Sequence, residues 1–274
     1  MTRWWADVDL HTVVEVVSPA RVGDWRPGDA WLAGGTALFG APPAGVTRLL
    51  DLGAAGWTPL TPGDDGLEIA ATCTVAELAG FTGTAAHTAF HGLAVACCHA
   101  FLASFKIWNV ATVGGNLCAA LPAGPMIALT AALDGWCRIL GPAGERRVPV
   151  VEFVTGDGTT VLRDGEVLRS VTLPAEALTG LTAYRRGSLF PHGRSAVLLA
   201  GRVPAGGGLV LTVTAATPRP HQLRFPAAPG PAELRAAILD AVGDGWFDDV
   251  HGLPAWRRHL TLRYAEEIRA ELAR

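Results

Sequence analysis

The chain has 274 residues, of which 50% are hydrophobic and 17% charged, so it is long and apolar enough to bury a sizeable core and is not a disordered protein. Its formal net charge of −3, with cations and anions mixed along the chain, gives no indication of nucleic acid or an anionic membrane as a partner. Only Lys106 among the 22 lysine and arginine residues is a lysine, and this compositional bias means that a single arginine carries little information.

The first third of the chain indicates short strand and helix units. The β-branched run TVVEVVSP (12–19) predicts a strand, and AWLAGGTALF (30–39) predicts a strand that enters a glycine turn and then a helix. A further strand is predicted in VTRLLDLGAAGW (46–57). Thr74 and Glu77 match the S/T-x-x-E capping box, which predicts that a helix begins there.

The middle of the chain predicts helices followed by strands. From His87 to Trp108 the sequence is apolar, Ala-rich and mostly helical, and PMIALTAALDG (125–135) has apolar residues at helical spacing. WCRILGPAGERRVPVVEFV (136–154) alternates like a hairpin, and DGEVLRSVTLP (164–174) predicts another strand.

The sequence pattern changes near Pro174, from mixed helices and strands to consecutive strands. Residues 180–217 predict antiparallel strands with a glycine hairpin at 206–208, and Pro-rich PRPHQLRFPAAPGP (218–231) is interpreted as a linker to the next helix. The last segment, 254–272, predicts an amphipathic helix. The plan is α+β throughout.

Targeting segments and cysteine sites are not indicated. The start MTRWWADVDLHTVV carries acids too early for a signal peptide, and the most apolar window is too short for a membrane span. The cysteines lack the spacing of a disulfide framework, a zinc site or an iron–sulfur cluster, so we expect a cytoplasmic protein whose redox centre is not built from them. They are Cys73, Cys97, Cys98, Cys118 and Cys137.

Two glycine turns stand out, LAGGTALF (32–39) and ATVGGNL (111–117). Neither matches the dinucleotide fingerprint G-x-G-x-x-G or the phosphate-binding G-x-x-x-x-G-K-[ST]. Each combines two glycines with a small polar residue, Thr36 in one and Thr112 and Asn116 in the other, so that backbone N–H groups could converge on phosphate oxygens. Taken singly, each motif favours a structural turn over a binding site.

Four stretches in order carry a resemblance: LAGGTALF, ATCTVAEL (71–78), WNVATVGGNLCAALPAGPMIALTAALDG (108–135) and YRRGSLFPHGRSAVLLAGRV (184–203). Together they resemble the FAD-binding subunit of molybdopterin-dependent dehydrogenases, the xanthine and carbon monoxide dehydrogenase family. The resemblance implies a two-subdomain FAD-binding domain over 1–173, with a break near 60. It also implies an α+β C-terminal domain, with an antiparallel sheet and helices, over 177–274.

The resemblance implies an FAD that lies between subdomains, with both glycine turns around its diphosphate and ribityl chain. Lys106 is a candidate for a cation near the flavin, with a surface lysine as the alternative, and Arg186 stands where the family has a lysine. The implied FAD-binding residues are Leu32, Ala33, Gly34, Gly35, Thr36, Ala37, Leu38, Lys106, Thr112, Val113, Gly114, Gly115, Asn116 and Arg186. No catalytic side chain and no metal ligand is predicted, since the flavin carries the electron chemistry.

Three positions depart from the family pattern. Pro125 stands where the family has an aspartate near the ribityl hydroxyls, Trp108 stands where a basic residue precedes the second turn, and Arg186 replaces the lysine of Tyr-x-Lys. We expect these changes to affect single polar contacts, each worth about 1 kcal/mol, more than the fold. For Trp108, filling of the core and stacking on the cofactor remain alternatives.

The implied function is electron transfer within a molybdenum hydroxylase or dehydrogenase. A large subunit would hold the molybdenum cofactor, a small subunit would hold [2Fe–2S] clusters, and the FAD of this chain would pass electrons to an external acceptor. Two alternatives stay open: a free-standing FAD-dependent oxidoreductase that acts on a small molecule, and an FAD-free scaffold of the same fold. The substrate, the acceptor and the oligomeric state are not indicated by the sequence.

Overall fold

The computed structural model describes residues 12–19, 22–41, 43–83 and 87–273. These residues form four β-sheets and eight α-helices, which confirms the predicted α+β class. The predicted domain limits, 1–173 and 177–274 with a break near 60, stay a prediction. None of the helices in the described part combines the length and the hydropathy that crossing a bilayer requires.

A three-stranded parallel sheet leads into the first glycine turn. It consists of β1 (Glu15–Val17), β2 (Asp29–Leu32) and β3 (Arg48–Asp51) in the order β1-β3-β2. The strands predicted in 12–57 are thereby confirmed. The helix predicted after β2 is wrong, because residues 36–40 form consecutive turns instead. Gly40 and the Pro-Pro pair at 42–43 explain this difference, since both residue types disfavour helix propagation.

A five-stranded antiparallel sheet follows. Its strands are β4 (Leu60–Gly63), β5 (Gly66–Ala70), β6 (Trp136–Gly141), β7 (Gly144–Pro149) and β10 (Val167–Pro174) in the order β4-β5-β10-β6-β7, while β8 (Val154–Gly156) and β9 (Thr159–Thr160) form a separate hairpin. Leu67 and Ile69 of β5 are fully buried and Glu68 between them is partly exposed, so one face of this sheet lies on the core. The hairpin predicted in 136–154 and the strand predicted in 164–174 are confirmed.

The helices are α1 (Val75–Gly80), α2 (Thr88–Ala100), α3 (Phe105–Trp108), α4 (Val113–Ala119), α5 (Pro125–Ala132), α6 (Val150–Phe153), α7 (Pro231–Val242) and α8 (Pro254–Leu272). The predicted capping box of α1 is confirmed: Glu77 N donates to Thr74 Oγ1 over 3.1 Å and Thr74 N donates to Glu77 Oε2 over 2.8 Å. All eight residues of α5 are buried, so this helix lies at the centre of the core.

The C-terminal sheet has both faces buried. Its antiparallel strands are β11 (Thr182–Gly187), β12 (Val197–Arg202), β13 (Leu209–Thr214) and β14 (His221–Phe225). Leu198 and Ala200 of β12 join the core around α2 and α5, while Val197 and Leu199 join the core under α7 and α8. The linker predicted at 218–231 is therefore partly wrong, because β14 lies within it and pairs with β13.

A buried arginine fixes α8 to this sheet. The Arg257 side chain is 1% exposed and donates to the backbone carbonyls of Gly252 (2.8 Å), Ala196 (2.7 Å) and Ala215 (2.5 Å) as well as to Asp249. The predicted helix 254–272 is confirmed, but its buried stripe is Arg257, Thr261, Ala265 and Ile268. Only two of these four residues are apolar, so the hydrogen bonds of Arg257 hold α8 against the sheet together with the hydrophobic contacts.

We predict that Arg257→Met lowers the free energy of unfolding by about 3–5 kcal/mol, because it leaves three carbonyls and the Asp249 carboxylate without their donor. The neighbouring Arg258 is exposed, so Arg258→Met is the matched control and should change stability by less than about 0.5 kcal/mol. Urea unfolding followed by circular dichroism measures both variants. Equal stability of the two would contradict a structural role for Arg257.

Candidate functional site

The two glycine turns meet in the folded chain. A methyl group at Gly34 would lie 1.7 Å from the carbonyl oxygen of Val110 and 3.2 Å from Cα of Ala111, so the first turn rests with its backbone on the segment that enters the second turn. Only glycine allows this approach. The two motifs, 78 positions apart in sequence at Gly34 and Thr112, therefore form one surface.

The second turn is itself held by the protein. Val113 N donates to Cys73 O over 2.8 Å, Gly114 N donates to Ala71 O over 2.9 Å, and Gly115 N donates to Thr112 Oγ1 over 3.0 Å. A methyl group at Gly114 would lie 2.4 Å from Cβ of Ala71. The first three N–H groups of α4 are therefore engaged within the protein, and its close packing on Ala71 accounts for glycine at 114.

The first turn has the opposite character. The backbone N–H groups of residues 33–38 donate no hydrogen bond to any residue in the described part of the chain. Gly35 has a left-handed backbone (φ 72°), and Thr36 and Ala37 are exposed. A run of open N–H groups around a left-handed residue is the arrangement that binds phosphate-like anions in proteins. This turn can therefore bind a diphosphate.

Apolar side chains border the first turn. Phe39 is 49% exposed and its ring lies beside Gly35, while Val110, against which Gly34 packs, is 44% exposed. Exposed apolar groups next to open N–H donors suit a ligand with both a charged part and a flat apolar part.

Asn116 and Pro125 together form the start of α5. The Asn116 Oδ1 atom accepts a hydrogen bond from Met126 N over 3.0 Å, and Pro125 is the first helical residue, where proline is favoured because the N–H would be unpaired. The side-chain oxygen of Asn116 is thus engaged within the protein. Pro125, the departure from the family pattern, is fully compatible with this structure.

Lys106 and Trp108 lie on α3, directly before the second turn. Lys106 is exposed and forms no ion pair with another described residue. Trp108 packs partly buried against the core and on the ring of His99, with 5.9 Å between ring centroids, and its buried Nε1 has no acceptor among the described residues. The contacts of Trp108 favour its interpretation as a core residue.

Arg186 on β11 braces a neighbouring loop. Its Nε donates to Ser195 Oγ over 2.8 Å, and the other guanidinium nitrogens donate to the carbonyls of Pro191 and Gly193. All three acceptors lie in 191–195 and not in either glycine turn. These bonds hold the loop that follows Gly187, a role that the sequence pattern did not indicate.

The cysteines and histidines do not assemble a redox or metal site in the described residues. All five thiols are free, and burial raises the pKa of Cys73 to about 12 and that of Cys98 to about 11, so these two are protonated at neutral pH. His87 and His91 have ring centroids 6.4 Å apart, but no group of three or more possible metal ligands occurs in the described ranges.

The strand that delivers the first turn carries a buried ion pair. The Asp29 carboxylate, 1% exposed, accepts hydrogen bonds from Arg48 Nη2 (2.6 Å) and Nε (2.8 Å) and from Arg26 N (2.9 Å). The hydrogen bond from Arg48 is the largest cause that lowers the pKa of Asp29 below its ordinary value of 3.8. This pair fixes β2 against β3, and so it fixes the origin of the turn.

Comparisons with known proteins concern the family and the fold of this chain. Residues 24–176 match the family model described as the FAD-binding domain in molybdopterin dehydrogenase. A search of curated protein sequences finds no significant match.

Solved structures share the fold over nearly the whole chain. A chain of quinoline 2-oxidoreductase from Pseudomonas putida 86 is 20% identical with a TM-score of 0.76, covering 94% of this chain and 95% of that one. A chain of carbon monoxide dehydrogenase from Hydrogenophaga pseudoflava is 19% identical with a TM-score of 0.78, covering 95% of this chain and 97% of that one. A chain of reconstituted CO dehydrogenase from Oligotropha carboxidovorans is 18% identical with a TM-score of 0.73, covering 95% of this chain and 98% of that one. At these identities the likeness concerns the fold.

We predict that Gly34→Ala and Gly114→Ala each lower the free energy of unfolding by about 1–3 kcal/mol or more, because the added methyl groups meet backbone or Cβ atoms that have no room to move. Gly80→Ala is the control, since nothing lies within 4 Å of its Cβ position. It should leave stability unchanged or slightly raised. Thermal and urea unfolding measure all three, and a neutral Gly34→Ala would contradict the contact between the turns.

We predict a pH-dependent effect of Arg48→Met. Because the folded-state pKa of Asp29 is lowered, the stabilisation by the pair is complete above the ordinary pKa and is lost as the pH falls through the folded pKa. The difference in unfolding free energy between wild type and Arg48→Met should therefore be large at about pH 7 and shrink below about pH 4. Arg138→Met, which breaks the exposed pair with Glu145, should show a small difference at every pH. A constant gap for Arg48→Met would be inconsistent with this linkage.

Proposed function

The chain belongs to the family of FAD-binding domains of molybdopterin dehydrogenases, whose cofactor is FAD, and from that premise we propose that it is the electron-transferring FAD subunit of a molybdenum hydroxylase or dehydrogenase. Electrons would arrive from iron–sulfur clusters of a small partner subunit, after oxidation of a substrate at the molybdenum cofactor of a large partner subunit. They would leave to an external acceptor. FAD supplies the ability to receive electrons singly and to release them in pairs.

The observation that carries this proposal is the run of open N–H groups in residues 33–38. We assign the diphosphate to this turn, with the Thr36 hydroxyl as a further donor, because these groups have no hydrogen-bond partner among the described residues and Thr36 and Ala37 are exposed. Charge-assisted hydrogen bonds from several N–H groups to one diphosphate are stronger than neutral ones. Leu32, Ala33, Gly34, Gly35, Ala37 and Leu38 then contribute through their backbone.

The second turn has a different part in this proposal. The hydrogen bonds of this turn stay within the protein: they use the N–H groups at 113–115, the Thr112 hydroxyl oxygen and Asn116 Oδ1. We therefore assign a supporting role to Thr112, Val113, Gly114, Gly115 and Asn116, which fix the segment on which Gly34 rests. Lys106, exposed on α3, is free to approach a negatively charged ligand. Arg186 contributes indirectly, because its hydrogen bonds hold the loop at 191–195.

No side chain of this chain is assigned a proton-transfer or nucleophilic step. The protein positions FAD and limits its contact with water, while the surrounding apolar residues Phe39 and Val110 offer a surface for its flat parts. The buried, protonated thiols of Cys73 and Cys98 support this assignment, because protonated thiols are poor electron donors and nucleophiles. Their free state fits the proposed cytoplasmic location.

We predict that the purified chain, mixed with FAD and desalted, keeps the visible absorption of oxidised flavin. Thr36→Val should weaken FAD binding by up to about tenfold without a change in thermal stability, since the Thr36 hydroxyl supports no described contact. Thr112→Val is the matched control: it removes the cap of Gly115 N and should lower stability by about 1 kcal/mol. Fluorescence quenching of free FAD measures the affinity, and thermal unfolding measures the stability.

The outcomes separate the alternatives. A chain that stays colourless at saturating FAD would favour the FAD-free scaffold. A yellow chain that reduces its flavin with a small-molecule donor, and does not assemble with iron–sulfur and molybdenum subunits when co-expressed with them, would favour the free-standing oxidoreductase. A yellow chain that co-purifies with both subunits supports the proposal. If Thr36→Val lowers stability and Thr112→Val weakens only FAD binding, the assignment of the two turns is reversed.

A further inference from the structure

A groove between α7 and α8 concentrates positive charge away from the two glycine turns. Its volume is about 390 Å³, within the range of small-ligand sites. It is lined by Arg235 of α7 and by Ala255, Arg258, His259, Leu262 and Arg263 of α8. Three guanidinium groups and one imidazole thus surround one concavity in a chain whose formal net charge is −3.

Two of the three arginines that line this groove have no carboxylate partner among the described residues. Arg235, Arg258 and His259 are exposed and form no hydrogen bond or ion pair with any residue in the described ranges. Arg263 pairs with Glu267 over 2.9 Å, but Glu267 also binds Arg185, and the neighbouring Glu266 binds Arg269. The α8 carboxylates of Glu266 and Glu267 are therefore already engaged.

The arrangement of α8 brings these groups to one face. His259 and Arg263 are four residues apart, as are Arg258 and Leu262, so both pairs are neighbours on the helix surface. Ala255 and the half-buried Leu262 are the other lining residues, so no acidic side chain among the described residues lines the groove. Because α8 begins at Pro254, the positive end of its dipole adds to the field.

We propose that the α7–α8 groove binds a compact, multiply charged phosphate anion, of the diphosphate class. Guanidinium groups form paired hydrogen bonds to phosphate oxygens, and the two unpaired ones of Arg235 and Arg258, with Arg263 beside them, suit an anion with several phosphate oxygens. The proposal is independent of the FAD site. The diphosphate could be free or belong to a nucleotide, and the experiment separates the two sources.

The test is a calorimetric titration of the full-length, FAD-saturated protein with pyrophosphate at constant ionic strength, with ADP and adenosine as further arms. Arg235→Gln/Arg258→Gln should weaken pyrophosphate binding at least about tenfold. The control Arg163→Gln/Arg219→Gln removes two exposed arginines elsewhere and should stay within about twofold of wild type. The NMR signal of the His259 ring, assigned with His259→Asn, should shift saturably in the same titration.

Each outcome decides the proposal. Binding of ADP at least as tight as that of pyrophosphate, with no binding of adenosine, assigns the site to a nucleotide diphosphate, and binding of pyrophosphate alone assigns it to the free anion. Absence of saturable binding, or equal affinity of wild type and Arg235→Gln/Arg258→Gln, overturns the proposal. Unchanged thermal stability of the variants rules out misfolding as the cause of lost binding. The test holds whether or not the protein retains FAD, because the variants locate the binding to the groove.

Discussion

Backbone contacts without intervening side chains determine the architecture of the candidate site. Gly114 brings α4 against Ala71 at the end of β5, and Gly34 brings the first turn against Val110 and Ala111. Through this series of contacts the five-stranded sheet sets the position of α4, and the segment before α4 sets the position of the first turn. The N–H groups of the first turn have no partner among the described residues. Any side chain inserted into the series would displace every element after it.

The two glycine turns look alike in sequence and differ in what they leave open. The hydrogen-bonding capacity of the second turn is used up inside the protein by Cys73, Ala71 and Thr112, which makes it rigid. The first turn keeps its donors unpaired, and an exposed, unpaired backbone is stable only because water can reach it until a ligand does. The rigid second turn helps to hold the solvated first turn in place, while the N–H groups of the first turn stay accessible to a ligand.

Periodicity and local sequence signals predicted most of the fold, but they could not predict which residues far apart in sequence come into contact. The capping box at Thr74, the hairpin 136–154 and helix 254–272 follow from local chemistry, so they were predictable. The helix predicted after β2 was wrong because turn residues overrode the local pattern. The linker predicted at 218–231 was partly wrong because tertiary pairing with β13 forms β14 within it. Arg257 and the contact of Gly34 with Val110 join residues far apart in sequence, and an arginine in an arginine-rich chain gives no signal of burial.

The C-terminal sheet packs one face on α2 and α5 and the other on α7 and α8, so the earlier part of the chain depends on it for burial of its core. Removing residues beyond about 177 would uncover α5, whose every residue is buried, and leave a large apolar surface in water. The two halves should therefore melt in one transition, and gene fragments that encode only the first half should yield insoluble protein. The C-terminal sheet thus completes the core in which α5 lies.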